Sequence, residues 1–232
     1  TAVFFSASKG QGKTILITSP GPGEGKSTVT SNLGIAMAQT GQRILILDAD
    51  FRRPTQHSVF ELDHRELSLS SVFAGKTKLA AAIQPTRLKG LDILTCGYGI
   101  PNPAEVLGSQ RFARLVKTLG NAYDRVLIDT PPVTVVTDAQ IIGALCDATI
   151  LVLKVDRSTR RAAERAIELL RSVGAEVLGI VANGASKSDN YYGYHGHYRS
   201  NGGTASGNGQ EDKRQCAGVG AGGKARGSTK EV

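Results

Sequence analysis

The chain has 232 residues, a hydrophobic content of 40 %, no tryptophan and a formal net charge of +8. This length predicts one mostly aliphatic domain with an extension, and no apolar run approaches the roughly 20 residues of a membrane-spanning helix. The basic residues form no stripe with interleaved aromatic residues, which argues against nucleic-acid binding, and three isolated cysteines without metal-ligand spacing indicate a reducing cytoplasm.

Short apolar runs alternate with segments of helical periodicity along the first 183 residues. The apolar runs predict strands at 14–18, 43–47, 91–95, 125–128, 148–155 and 176–182. Helical spacing predicts helices at 27–41, 67–73, 78–84, 103–108, 111–119, 138–145 and 159–173. This alternation predicts an α/β fold, with a parallel sheet covered by helices on both faces and joined by right-handed crossovers.

The composition changes after Asn183. Residues 189–198 combine tyrosine, histidine and glycine, and from Ser200 onward glycine, serine and charged residues follow without periodicity. We therefore predict a folded domain over residues 1–186 and a flexible C-terminal tail over residues 187–232.

A glycine-rich stretch, residues 19–28, lies between the first predicted strand and the first predicted helix and ends in Gly-Lys-Ser-Thr. Such a turn wraps backbone N–H groups around phosphates; Lys26 then reaches the outer phosphates and the Ser27 hydroxyl holds Mg²⁺. Pro20 replaces a glycine of the strict pattern, so the loop is a variant. A second Gly-Lys-Thr, at 12–14, is not interpreted as a phosphate loop, because its lysine precedes a strand instead of opening a helix. The predicted nucleotide-binding residues of the loop are Gly23, Glu24, Gly25, Lys26, Ser27 and Thr28.

Three acidic residues follow predicted strands: Asp48 and Asp50 after the second, and Asp129 after the fourth. Since ligand sites in parallel sheets lie at the carboxyl ends of the strands, these carboxylates are expected beside the phosphate loop, where Mg²⁺ offsets their burial. We predict Ser27, Asp50 and Asp129 as metal ligands. Lys26, Asp48 and Asp50 are the predicted catalytic residues, and the sequence leaves open which aspartate takes the proton.

Four of the six tyrosines, Tyr191, Tyr192, Tyr194 and Tyr198, lie within eight residues of the predicted tail. Tyrosine is usually half-buried, so a cluster in a glycine-rich segment needs an explanation. Three remain open from the residues alone: a base-stacking platform, a tail without function, or a set of phosphate acceptors delivered to an active site.

These segments together resemble the bacterial tyrosine kinases of the polysaccharide co-polymerase type. Residues 18–28 look like the Walker A motif of that family, residues 46–54 like its Walker A′ motif and residues 126–132 like its Walker B motif. Residues 102–107 are similar to a further family segment, and the terminal tyrosines look like its autophosphorylation cluster.

The resemblance implies a P-loop NTPase fold and a protein-tyrosine kinase that uses ATP and Mg²⁺. It implies a ring-shaped homo-oligomer whose subunits phosphorylate each other's tail tyrosines, in the service of capsule or exopolysaccharide synthesis and export. A membrane-bound co-polymerase, fused upstream or separate, would activate the kinase, which places it in the cytoplasm at the inner face of the membrane. The resemblance also implies that Asn183 contacts the nucleotide base.

Two other functions compete with this interpretation. A partitioning or positioning ATPase of the same fold would carry a second lysine early in the phosphate loop, where this chain has Gly21, and would lack the tyrosine cluster. A catalytically idle scaffold would bind nucleotide without transferring phosphate, and the full set of lysine, serine and aspartates argues against it.

Overall fold

The computed structural model describes residues 12–185. The tyrosine cluster and the predicted tail lie outside these described residues. In chain order, the elements are β1 (Thr14–Thr18), α1 (Lys26–Gln39), β2 (Ile44–Asp48), α2 (Gln56–Phe60), α3 (Leu69–Phe73), α4 (Leu79–Ala82), β3 (Ile83–Pro85), β4 (Leu91–Leu94), α5 (Pro103–Leu107), α6 (Gln110–Ala122), β5 (Arg125–Asp129), α7 (Asp138–Gly143), β6 (Ala148–Lys154), α8 (Arg160–Ser172) and β7 (Val177–Asn183).

The described strands form one seven-stranded sheet in the order β3-β4-β2-β5-β1-β6-β7. All neighbouring pairs are parallel except β3 and β4. The prediction of an α/β fold with a parallel sheet is confirmed, with one antiparallel strand at its edge. The order places β1 between β5 and β6, so the turn after β1 lies beside the carboxyl ends of both neighbours.

Two apolar layers cover the sheet. Leu16 packs into one layer, with side chains from α6, α7 and α8, while Ile15 and Ile17 pack into the other, with side chains from α1. Successive strand residues point to opposite faces, and because both faces are covered, every residue of β1 and β2 is buried. This explains why the central strands are unbroken apolar runs in the sequence.

Residues 78–84 are only partly helical, which corrects the prediction of one helix over that range. Helix α4 ends at Ala82, and Ile83 and Gln84 instead pair with Leu94 and Ile93 of β4. Pairing with a buried strand outweighs helix propensity here, and Pro85 is tolerated because β3 lies at the edge of the sheet. The short helix α2 (Gln56–Phe60) lies in a segment for which the sequence predicted no element.

Helices long and apolar enough to cross a membrane are not found anywhere in residues 12–185.

Candidate active site

The loop between β1 and α1 turns sharply at two glycines with positive φ, Gly23 at 75° and Gly25 at 91°. Residues following β5 hold this loop. The Val133 N–H donates to the Ser19 carbonyl over 2.9 Å, and the Thr134 hydroxyl donates to the Pro20 carbonyl over 2.6 Å. Pro20 is the residue that departs from the strict motif, and its carbonyl accepts one of the hydrogen bonds that hold the loop.

Lys26 is the first residue of α1 and points toward Asp50 in the loop that follows β2. The Lys26 Nζ lies 3.9 Å from the Asp50 Oδ2, and both side chains are at least nine-tenths buried. The other oxygen, Oδ1, accepts the backbone N–H groups of Arg52 and Arg53 over 3.2 and 2.9 Å. These two bonds orient the Asp50 carboxylate so that Oδ2 faces the lysine.

Asp48 is fully buried at the end of β2, and its two oxygens accept three backbone N–H groups. The Asp50 N–H donates to Oδ1 over 3.1 Å, and the N–H groups of Thr55 and Gln56 donate to Oδ2 over 3.1 and 3.0 Å. Asp48 therefore holds together the loop that carries Asp50. Burial, and then the neighbouring Asp129 carboxylate, raise the pKa of Asp48 well above its usual range.

Asp129, at the end of β5, pairs in register with Asp48 and is also fully buried. Its Oδ2 accepts a hydrogen bond of 2.7 Å from Gln56 Nε2, and the Ser27 side chain lies beside the carboxylate. Its Oδ1 is buried and has no hydrogen-bond partner among residues 12–185. Burial raises the pKa of Asp129, and the Ser27 and Gln56 hydrogen bonds act in the opposite direction.

An unpaired buried carboxylate oxygen beside a serine hydroxyl matches the ligands that Mg²⁺ takes from a protein when phosphates complete its coordination. The residues thus fit a Mg²⁺ ion held by Ser27 and Asp129, with Asp50 nearby. No cluster of three or more His, Cys, Asp or Glu placed to hold a metal ion occurs within the described part of the chain. A Mg²⁺–nucleotide site does not need one, since one or two carboxylates suffice.

Gln56 is a residue of this site that sequence reasoning missed. It is fully buried at the start of α2, and its Nε2 donates to Asp129 and to the Ser27 carbonyl. The segment around Gln56 has no helical or strand periodicity, and Gln56 lies outside the Walker A, Walker A′ and Walker B segments. Pro54, two residues before it, is compatible with the start of a helix, but it indicates no function for Gln56.

Glu24 is buried, and its side chain contacts the segment that follows β6. The Ser158 hydroxyl donates to its Oε1 over 2.8 Å, and Asn183 Nδ2 donates to its carbonyl over 3.0 Å. The Arg157 guanidinium lies against Gly23, a contact that the sequence did not indicate. The loop is therefore held by the segment that follows β6, by the end of β7 and by the residues after β5.

Sequence comparisons assign the chain to a family. Residues 11–206 match the profile of the ParA family, described as the NUBPL iron-transfer P-loop NTPases. The chain is 40 % identical over 197 residues to tyrosine-protein kinase YwqD of Bacillus subtilis (strain 168), across 84 % of this chain and 83 % of that protein. The chain belongs to the bacterial tyrosine kinases.

Solved structures agree with this assignment. The kinase matches the kinase domain of Escherichia coli tyrosine kinase ETK with a TM-score of 0.74 and 32 % identity, over 83 % of this chain and 76 % of that one. It matches the chimerical protein CapA2B2 with a TM-score of 0.74 and 39 % identity, over 78 % and 79 % of the two chains. The septum site-determining protein MinD of Pyrococcus horikoshii OT3, complexed with Mg-ADP, matches with a TM-score of 0.65 and 27 % identity, over 75 % and 72 %. The identity is thus higher with ETK and CapA2B2 than with MinD.

Most predicted site residues of the kinase converge on one place at the carboxyl edge of the sheet. They are Lys26, Ser27, Asp48, Asp50 and Asp129. Thr28 lies exposed in the first turn of α1, and Asn183 donates to the Glu24 carbonyl and packs against Gly25. Arg53 is exposed, whereas the Arg52 guanidinium pairs with the buried Asp138 of α7.

Proposed function

We propose that this kinase uses ATP and Mg²⁺ to phosphorylate the tyrosine cluster of a second copy of the chain. The observation that carries the proposal is the approach of the Lys26 ammonium to the Asp50 carboxylate, 3.9 Å apart at the mouth of the phosphate loop. A cation for the transferred phosphate and a carboxylate for the acceptor hydroxyl are the two groups that phosphoryl transfer requires from a protein.

Each residue has a distinct part in this mechanism. Backbone N–H groups of residues 23–27 surround the phosphates, and Lys26 neutralises charge on the transferred group. Ser27 and Asp129, with Asp50 nearby, would hold Mg²⁺, which when bound neutralises further negative charge on the phosphate oxygens. Asn183 would contact the nucleotide base from the end of β7.

Asp50 is better placed than Asp48 to receive the proton. Both oxygens of Asp48 accept backbone N–H groups, whereas Asp50 Oδ2 faces Lys26 and, within residues 12–185, accepts no hydrogen bond from the protein backbone. In the step proposed here, the tyrosine oxygen bonds to the γ-phosphorus as the bond to the leaving ADP oxygen breaks. The phenolic proton passes to Asp50 Oδ2.

The proposed acceptors are Tyr191, Tyr192, Tyr194 and Tyr198, on a second subunit of a ring-like homo-oligomer. The proposed partner is a membrane-bound polysaccharide co-polymerase, fused upstream or separate, which locates the kinase at the cytoplasmic face of the membrane. Tyrosine-protein kinase wzc of Salmonella typhimurium supports a fused arrangement in the family, because this chain covers only 27 % of that protein at 32 % identity. The proposed role is regulation of capsule or exopolysaccharide synthesis and export.

A phosphotyrosine blot after incubation with ATP and Mg²⁺ tests the activity. We expect signal from the wild type and none from Lys26→Met. Lys13→Met is the matched control, because Lys13 belongs to the rejected Gly-Lys-Thr and is exposed at the opposite end of β1. Equal signals from the two variants would contradict the role of Lys26. Nucleotide binding by the wild type without any phosphotyrosine would indicate the idle scaffold.

A mixing experiment tests transfer between chains. A Lys26→Met chain with intact tyrosines is added to an active chain whose four cluster tyrosines are changed to phenylalanine. Label on the inactive chain is expected. Its absence, with the wild type active alone, would indicate that transfer occurs within one chain.

A further inference from the structure

Gln56 lies between the two buried carboxylates and the phosphate loop, and motif analysis assigns it no role. We propose that Gln56 is a positioning residue: it orients Asp129 so that one carboxylate oxygen is available to Mg²⁺, and it connects that carboxylate to the phosphate loop. This inference rests on the proposed function only in assuming that the site takes Mg²⁺ with a nucleotide.

The hydrogen bonds of Gln56 determine which way its carboxamide points. Its neighbours Asp129 Oδ2, at 2.7 Å, and the Ser27 carbonyl, at 3.2 Å, are both acceptors, so only the NH₂ group can face them. Its Oε1 then faces the Ser31 hydroxyl, 2.8 Å away. The side chain is fully buried, and water therefore does not compete for these bonds.

The backbone of Gln56 also bonds to the second buried carboxylate, Asp48. The Gln56 N–H donates to Asp48 Oδ2 over 3.0 Å, while its side chain bonds to Asp129. One residue thus holds both members of a fully buried pair of carboxylates that lie opposite each other in register. Asp48 and Asp129 cannot change their relative positions unless α2 moves as well.

The two carboxylate oxygens of Asp129 have different surroundings. Gln56 donates to Oδ2, whereas Oδ1 is buried and accepts no hydrogen bond from the described part of the chain. Without the carboxamide, the carboxylate would lose its hydrogen bond from Gln56 and could rotate about its terminal torsion. Partners that orient a ligating carboxylate typically contribute about 10- to 100-fold to metal affinity. We therefore expect Gln56 to raise the affinity of the site for Mg²⁺.

The test measures the Mg²⁺ concentration that supports half-maximal binding of a fluorescent ADP analogue to the full chain. Gln56→Met keeps the side-chain length but removes all three hydrogen bonds of the carboxamide. We expect this concentration to rise about 10-fold or more, with ADP-analogue affinity in EDTA unchanged. Gln56→Asn, which keeps the carboxamide on a shorter stem, is expected to show a smaller rise.

Gln84→Met is the matched control. Gln84 is also buried, and its Nε2 also donates two hydrogen bonds, to the Asp63 and Leu67 carbonyls in a loop that contributes no residue to the phosphate site. A merely structural role for Gln56 predicts that both methionine variants lose stability while their Mg²⁺ midpoints stay at the wild-type value. That outcome would overturn the inference.

The outcomes also separate this inference from the proposed function. If the wild type binds the ADP analogue without any dependence on Mg²⁺, the proposed cofactor is wrong. If the wild type needs Mg²⁺ and the variants have the same midpoint as wild type, only the role of Gln56 is wrong. Should Gln56→Met not fold, Gln56→Asn decides the question by the same comparison.

Discussion

The Asn183 carboxamide donates a hydrogen bond of 3.0 Å to the Glu24 carbonyl, and its Nδ2 occupies the space into which a Cβ on Gly25 would project. The end of β7 is thereby packed onto the phosphate loop. Two features therefore favour glycine at position 25. A side chain there would collide with Asn183, and the φ of 91° is a conformation that residues other than glycine rarely adopt.

Gly25→Ala is expected to abolish nucleotide binding. The substitution introduces a left-handed alanine, and its Cβ displaces Asn183 from the loop. Gly41→Ala is the matched control, because Gly41 has a φ of 88° and no atom within 4 Å of the added Cβ. We expect that control to lose about 1 kcal/mol of stability and to keep nucleotide binding. Equal loss of binding in the two variants would contradict the importance of the Asn183 contact.

Asp129→Asn is expected to stabilise the ligand-free protein while removing Mg²⁺-dependent nucleotide binding. Burial, and to a smaller extent the Asp50 carboxylate, oppose a charge at position 129, and an asparagine can still accept from Gln56 through its oxygen. We expect the Tm to rise by about 2–4 °C, which corresponds to about 1 kcal/mol for a chain of this size.

The control for Asp129→Asn is Asp147→Asn. Asp147 Oδ2 accepts both the backbone N–H and the hydroxyl of Thr14, over 2.8 and 2.9 Å, so the loss of charge there should lower the Tm. A lower Tm for Asp129→Asn would indicate that Asp129 contributes to stability through its charge. Differential scanning calorimetry without nucleotide measures both variants.

Arg52 connects the loop after β2 to α7. Its Nε and Nη2 lie 3.2 and 3.3 Å from the two oxygens of Asp138, whose side chain is fully buried. Arg52→Ala leaves a buried carboxylate without its cation, and we expect a loss of about 1–2 kcal/mol, since the arginine itself is 45 % exposed. Urea unfolding measures this loss.

The variant Arg53→Ala provides the comparison for Arg52→Ala. Arg53 is exposed, and its substitution should change stability by less than about 0.5 kcal/mol. Adding Asp138→Asn to Arg52→Ala should recover part of the lost stability, because it removes the unpaired charge. If the double variant is no more stable than Arg52→Ala, the ion pair is not the source of the loss.

His57 predicts a pH dependence of stability. Its ring stacks on His64 with 4.0 Å between centroids, and burial, followed by the His64 charge, lowers the pKa of His57. The unfolded chain therefore binds a proton at higher pH than the folded chain does. Protonation of His57 therefore favours the unfolded chain. The free energy of unfolding keeps its full value above the pKa of about 6.5 that His57 has in the unfolded chain, and it declines as the pH falls toward the lower pKa of the folded chain.

His57→Gln is expected to reduce this decline, and His64→Gln should reduce it less, because burial of His57 remains. Urea midpoints at pH 7.5 and pH 5.5 give the comparison. An identical fall in midpoint for wild type and His57→Gln would show that other groups cause the pH dependence.

The central strands could be predicted because burial on both faces leaves a simple pattern. Residues Ile15 to Ile17 and Ile44 to Leu47 are apolar without interruption, and each run became a strand at the expected place. The edge was harder to predict. Residues 83–85 carry no local signal for an antiparallel strand, and their conformation depends on pairing with Leu94, Ile93 and Asp92.

The sequence by itself determined the α/β class, and it predicted that Lys26, Ser27, Asp48, Asp50 and Asp129 lie together at the carboxyl edge of the sheet, because periodicity and loop chemistry are local properties. Tertiary structure alone decided which oxygen of Asp129 is left unpaired and which residue occupies the other. Gln56 is 73 positions from Asp129, and Asn183 is 159 positions from Glu24. Hydrogen bonds between such distant residues depend on the packing of the whole sheet, which no short stretch of sequence encodes.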